Sequence, residues 1–403
     1  MHKSLFKLNN VIQNYPWGSK TSIATLFGYE DPDHLPQAEI WMGAHPNGCS
    51  KICVDTKEVL LSEFISENKR GVLSGKTAAR FGELPFLFKV LAAGKALSIQ
   101  VHPSKSEAEA GFAMENAKGI DLKSSCRNYR DPNHKPELVY ALTPYQAMNG
   151  FRGFNEVVSL FSNLVDQVEI PDVERLLVTF EANRHSKGLK AFFTGILSLE
   201  GQKKTTAIDA LLKYCRQHQQ PNIQNNVPAL ILELGKSYPE DIGLFAPMML
   251  NVLTLKPGEV MYLDARTPHA YLKGTALEVM ANSDNVLRAG LTPKHIDIDE
   301  LVRCTSFKAK PRNTLILAPS IKGNRYCYAT PVSDFKFDCF QSGENEHIQI
   351  NSAEILFAID GDVSISCIAG ESIYLKKGES VFIPAYVKFY TLNASGRVAR
   401  VYN

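Results

Sequence analysis

The sequence predicts a mainly β protein with a helical insert: two jelly-roll β-barrel domains and a small α-helical domain. Three observations predict it. Short apolar runs punctuated by Pro and Gly fill residues 1–151 and return after about residue 240. Between them, residues 152–239 carry apolar residues at helical spacing. A strand–turn–strand device then occurs twice, 120 residues apart, as Leu255-Lys-Pro-Gly-Glu-Val-Met-Tyr-Leu and Leu375-Lys-Lys-Gly-Glu-Ser-Val-Phe-Ile. Such hairpins build small barrels, and two copies suggest two related ones.

In chain order, Pro85-Phe-Leu-Phe-Lys-Val-Leu and Leu97-Ser-Ile-Gln-Val read as buried strands. Ser104 to Lys118 is polar and rich in Ala and Glu, and predicts surface helix opened by Pro103 and Ser104. Val157, Val158, Leu160, Phe161, Leu164 and Val165 begin the helical pattern. It repeats over 173–180, 189–199 and 206–215, and the Gln-rich stretch from His218 to Asn226 reads as a solvated linker. Strand texture resumes at Met248 and again over the last ninety or so residues. After the first hairpin the chain reaches His269; the position 120 residues later is Phe389. Any metal is therefore expected in the first barrel, with the second structural.

A chain of 403 residues is too long for one ordinary core. A net charge of +2 and the absence of a basic run argue against a nucleic-acid or other polyanionic partner. No window approaches the roughly 20 apolar residues that span a bilayer, and the N-terminal residues lack a signal-peptide core. A cytoplasmic protein with no membrane partner is expected. The eight cysteines include no CxxC pair. Even Cys49 and Cys53 read better as free thiols than as a zinc knuckle.

Four segments can carry chemistry. Gln100 and His102, two apart in a strand, face one side; alone they are a metal pair or a hydrogen-bonded core pair. Glu137 follows Pro136 at the mouth of an apolar run, where a carboxylate is costly unless paired or metal-bound. His269 sits in Thr-Pro-His-Ala-Tyr. Glu278 lies in a strand-like run, and Asn282-Ser-Asp-Asn is too polar for a core unless it surrounds a ligand. Arg288 and Lys294 follow, suited to phosphate or carboxylate. Together, Gln100, His102, Glu137 and His269 form an N/O set without thiolate. That set suits a catalytic divalent metal better than a closed structural zinc.

These motifs make the chain resemble the type I mannose-6-phosphate isomerases in their bacterial form. The resemblance rests on Tyr15-Pro-Trp-Gly-Ser, Ala38-Glu-Ile-Trp-Met-Gly-Ala-His-Pro-Asn, Leu84-Pro-Phe-Leu-Phe-Lys-Val-Leu, Ser98-Ile-Gln-Val-His-Pro, Asn133-His-Lys-Pro-Glu-Leu and Pro268 to Lys294. It implies one zinc per chain on Gln100, His102, Glu137 and His269. It implies a discontinuous catalytic barrel of the cupin type, 1–151 with 240–315, around a helical domain at 152–239. A metal-free cupin-like barrel, 316–403, would follow. It further implies Arg288, Lys135, Glu278, Asp284 and Tyr271 as catalytic, with Ser98, Lys89 and Lys294 toward the substrate phosphate. The expected reaction interconverts mannose 6-phosphate and fructose 6-phosphate through a cis-enediol, on a monomer or weak dimer. The rival readings are a non-haem metal oxygenase on a similar barrel, which His102, Glu137 and His269 alone would fit, and a non-catalytic sugar-binding barrel protein.

Overall fold

The apolar run after Pro85 forms strand Phe86–Ala93, and every residue in it is buried. Such a strand is covered on both faces. Its partner is the long strand His269–Ala281, in the register Glu278 opposite Lys89. In the computed structural model, which describes residues 3–29, 33–368 and 370–403, this long strand is the seam of the first barrel. Its first part pairs with Tyr145–Phe151 and, at His269, with Gln100. Its second part pairs with Phe86–Ala93 and Glu137–Ala141. The change of partners follows an irregularity between Tyr271 and Lys273. Gly274 completes it at φ 116°. A Cβ there would lie 2.4 Å from the Pro144 carbonyl oxygen, so only glycine fits.

The helical pattern appears as Phe154–Val165, Pro171–Glu181, Ser186–Leu197, Gly201–His218 and Val227–Ser237. Val157, Phe161, Val173, Phe180, Phe192 and Leu211 are buried in one cluster with Ile99, Val101, Met148 and Phe151 of the barrel. The insert thus seals one flank of the barrel rather than standing apart. Strand texture begins at Leu250, two residues later than expected. Pro247 sits in the first turn of a short helix, Ala246–Met249, a position proline tolerates, and prolongs the helical region. The expected surface helix is Lys105–Ala117, closed at its start by a reciprocal Ser104–Glu107 capping box.

The second barrel is a sandwich of a seven-stranded and a four-stranded sheet. The N-terminal strand Phe6–Lys7 joins its larger sheet, with Phe6 opposite Phe382. The chain thus begins by adding a strand to the second barrel's sheet before entering the first. The two barrels share one apolar core: Phe88, Val90, Leu138, Leu277 and Val279 pack with Phe337, Ile355, Phe357 and Val401. Strand alternation explains what this does for the site. Lys89, Glu137 and Glu278 are the intervening residues, and they face the other way, into the first barrel.

Candidate metal centre

His102, Glu137 and His269 are all buried, and their ligand atoms lie within 4.8 Å of one another. The strand partners set the cluster. His269 is opposite Gln100, and Met280 is opposite Glu137. His102 Nδ1 is 2.7 Å from the Asn285 carbonyl, and His269 Nδ1 is 2.9 Å from the Thr267 carbonyl. A carbonyl can only accept, so each Nδ1 carries the proton and each Nε2 offers a lone pair. Those two Nε2 atoms lie 3.1 and 3.5 Å from the two oxygens of Glu137. His102 Nε2 is buried without a hydrogen bond. Three electron-rich atoms aimed at one point fit a divalent cation.

Gln100, opposite His269 on the neighbouring strand, donates from Nε2 to Ser98 Oγ at 3.2 Å. Burial pushes His102 down to about 4, against the attraction of Glu137. Burial raises Glu137, but His102 and Lys135 outweigh it and hold the carboxyl well below its usual range. Both ligands are thus in their metal-binding forms at neutral pH. Tyr271 Oη donates to Glu137, and Lys135 Nζ lies 3.5 Å from it.

The cluster opens on a cavity of about 520 Å³ lined by Gln100, Glu137, His269, Tyr271, Lys135, Glu278, Asp284, Ser98, Lys89, Arg288 and Lys294, among others. Every residue expected from the sequence reaches this cavity except His102, which lies behind it. Lys89 is committed to Glu278 at 2.9 Å and Glu39 at 3.6 Å. Burial lowers Lys89, yet the two carboxylates outweigh it and keep it firmly charged. Burial raises Glu278, opposed by Lys89. By contrast, Arg288 and Lys294 are lowered by burial and by cationic neighbours, with Arg130 adding to both. Among the described residues, neither makes an ion pair with a carboxylate. A cavity wall of mutually repelling cations favours a dianionic guest.

Sequence reasoning assigned no role to Glu39, Trp41, His45, Asn47 or Arg130. The first four lie in the motif Ala38 to Asn47, where strand Glu39–Met42 and the loop after it supply them. His45 is buried, and its Nδ1 accepts from the Asn47 amide at 3.2 Å. Its proton is therefore on Nε2, which lies 3.5 Å from Asp284 Oδ1. Asn47 Nδ2 donates to Asp284 Oδ2 at 3.0 Å. The polar stretch 282–285 does not surround a ligand as expected; only Asp284 of it lines the cavity. Asn285, wholly buried, instead binds the Arg130 and Asp131 amides and the Asp131 and Asn133 carbonyls. It ties two loops together beneath His102.

A buried His/Glu/His centre at the end of a jelly-roll barrel, facing a cationic cavity, defines a metal-dependent enzyme acting on a small anionic substrate. Residues 5–154 match the family model for the catalytic domain of type I phosphomannose isomerase, 164–250 that for its helical insertion domain, and 326–403 that for the mannose-6-phosphate isomerase cupin domain. Mannose-6-phosphate isomerase of Escherichia coli K12 is 48% identical over 399 residues, covering 98% of this chain and 99% of that protein. A crystal structure of a phosphomannose isomerase mutant from Salmonella typhimurium superposes with a TM-score of 0.94 at 45% identity, over the whole of both chains. A zinc-bound mannose 6-phosphate isomerase structure does so at 0.93 and 45%, also over both whole chains. The chain belongs to the type I phosphomannose isomerase family. Neither the oxygenase nor the binding-protein reading is favoured by these matches.

Proposed function

We propose that this chain interconverts mannose 6-phosphate and fructose 6-phosphate, moving a proton between C2 and C1 through a cis-enediol. The observation that carries the reading is the meeting of a buried His102–Glu137–His269 centre with the Arg130–Arg288–Lys294 wall in one sugar-sized cavity. Gln100, His102, Glu137 and His269 would hold one zinc. When bound, zinc polarises the carbonyl oxygen and so acidifies the neighbouring C–H.

The protein supplies the rest. Lys294 and Arg130 hold the phosphate. Arg288, whose strand position is opposite Gln100, lines the same cavity and would stabilise the enediolate charge. Glu278 is tied up by Lys89, which leaves Lys135 and Asp284 as the groups placed to carry the proton. Lys135 is near enough to help lower Asp284, whose burial is outweighed first by His45. Tyr271 fixes the Glu137 carboxylate. The domain division is proposed as 1–151 with 240–315, 152–239 and 316–403, apart from the N-terminal strand. No helix among the described residues is long and apolar enough to cross a membrane. A phosphorylated sugar is retained in the cytoplasm, where we place the enzyme, as a monomer or weak dimer.

A coupled assay for fructose 6-phosphate, before and after chelation with metal analysis, tests the whole reading. Activity should fall with zinc and return with it; full activity in metal-free protein would refute it. Arg288→Ala is expected to lower kcat by about a hundredfold or more, as loss of an oxyanion donor does. A change in KM alone would assign Arg288 to the phosphate only. His45→Ala is expected to cut kcat about tenfold, the scale of a lost orienting partner, with His45→Gln restoring part through its own N–H.

A further inference from the structure

The second barrel has no metal cluster among the described residues, yet one of its carboxylates bonds the stretch that leads into Glu137. We propose that Asp334 of the second barrel is a positioning residue for the isomerase site, acting through His134 on Lys135 and Glu137. This rests on the isomerase reading above.

Asp334 lies in the connection between strands Arg325–Tyr328 and Lys336–Phe340 and is 5% exposed. Its Oδ1 lies 3.0 Å from His134 Nε2, its one ion-pair partner among the described residues. A buried carboxylate without that bond is costly, so the contact is specified rather than incidental. The bond is also placed where it can act. Residues 133–136 form no helix or strand. The N-terminal end of this stretch is held by Asn133, which donates to the Asn282 carbonyl at 2.7 Å and accepts from Ser283 and Asn285. Its C-terminal end is held by the pairing of Glu137 with Leu263. Between these anchors, Asp334 is the one side chain among the described residues that bonds the His134 ring.

Lys135 and Glu137 line the cavity, whereas His134 does not. That is the alternation of an extended segment. Pro136 fixes its own φ and keeps Lys135 extended, so the segment is stiff. A displacement of His134 is then transmitted to Lys135 Nζ and to the Glu137 carboxylate beside it. Positions at a reacting centre matter on the scale of 1 Å, where about a hundredfold in rate is at stake.

The test uses the full-length, zinc-loaded enzyme. Asp334→Ala should lower kcat about thirtyfold, within the range for a lost orienting partner, with KM for mannose 6-phosphate within about twofold and one zinc retained. Asp334→Asn keeps an acceptor for the His134 N–H, and should lose only about threefold. Phe337→Ala loosens the same interface without touching this bond. It should lower Tm and leave kcat at 25 °C unchanged. Unchanged kcat in Asp334→Ala overturns the proposal; so does a loss of kcat that merely follows Tm across all three variants. If the alanine variant does not fold, an unchanged kcat in Asp334→Asn overturns it instead. Wild-type enzyme that makes no fructose 6-phosphate would refute the isomerase reading itself, before any variant is compared.

Discussion

Glu137→Gln should abolish isomerase activity, with kcat/KM down by about a thousandfold or more. The carboxylate is the only anion among the four expected ligands, since Gln100 is an amide and an imidazole carries no negative charge. Its removal takes away the charge that draws a dication into a buried site. Metal catalysis of this kind supplies several kcal/mol of charge stabilisation, and each 1.36 kcal/mol is tenfold in rate. The same change replaces the anionic acceptor that Lys135 and Tyr271 share with a neutral amide. Two readouts separate loss of metal from loss of fold. Zinc should raise Tm of the wild-type protein through binding linkage and leave the variant's Tm unmoved. The apo forms of both should unfold at similar temperatures, because glutamine still accepts from Tyr271 and no longer needs a cation. A Glu137→Gln protein that holds stoichiometric zinc and turns over at the wild-type rate would refute the centre as described.

The residues that the structure brings together as a candidate metal centre were legible in the sequence because most of them sit in short strands with fixed alternation. Gln100, Glu137, His269 and Glu278 fall on strands whose buried neighbours announce which way they face. His45, Asn47 and Arg130 were not legible as functional. They lie outside any strand or helix, and only the fold brings Asp284 and His45, 239 positions apart, into contact. The signal for His45 was its place with Glu39 and Asn47 in a motif whose other residues are apolar or Gly. The stretch 282–285 misled for a definite reason. Polar residues in an apolar context satisfy backbone groups as well as ligands, and Asn285 does the former. The pairing of the N-terminal strand with the second barrel was not legible, because a two-residue strand carries no partner information.

The duplicated hairpin proved more informative in three dimensions than in one. Gly258 and Gly378 have φ of 91° and 85°, and their amides donate to Ala141 and Ala358 at 2.8 Å in both cases. Lys256 N and Lys376 N bind Glu259 and Glu379 at 2.8 and 2.9 Å. The registers that follow pair Leu263 with Glu137 in one barrel and Ile383 with Glu354 in the other. Glu354 is therefore the counterpart of the metal-centre glutamate. By the same ladders Arg400 corresponds to Glu278 and Asp338 to Lys89, since each pair is directly cross-strand. Arg325, opposite Phe340 as Glu39 is opposite Leu91, corresponds to Glu39. The buried Glu–Lys–Glu row of the first barrel is an Arg–Asp–Arg row in the second. A guanidinium stands beside the retained glutamate where the first barrel offers a metal centre.

Arg400→Met should therefore be among the most destabilising single changes in the molecule, at about 3–5 kcal/mol, the cost of breaking a buried ion pair from one side. Arg400 bonds Glu354 and lies 3.4 Å from Asp338, and both carboxylates are at most 1% exposed. Burial already raises Glu354, and Arg400 is the main influence that opposes it. Without the guanidinium, Glu354 must take up a proton or admit water. Arg325 still neutralises Asp338, to which it donates at 2.8 Å, so Glu354 is the group left exposed to the full cost. The double variant Arg400→Met/Glu354→Gln should recover most of the loss, because it removes both charges together. Denaturant midpoints of the three proteins measure this directly. Zinc content should stay at one per chain throughout, since the counterpart of His269 is Phe389 and no imidazole replaces it. Equal midpoints for wild type and Arg400→Met would show that the charges of the second barrel are solvated rather than held in its core.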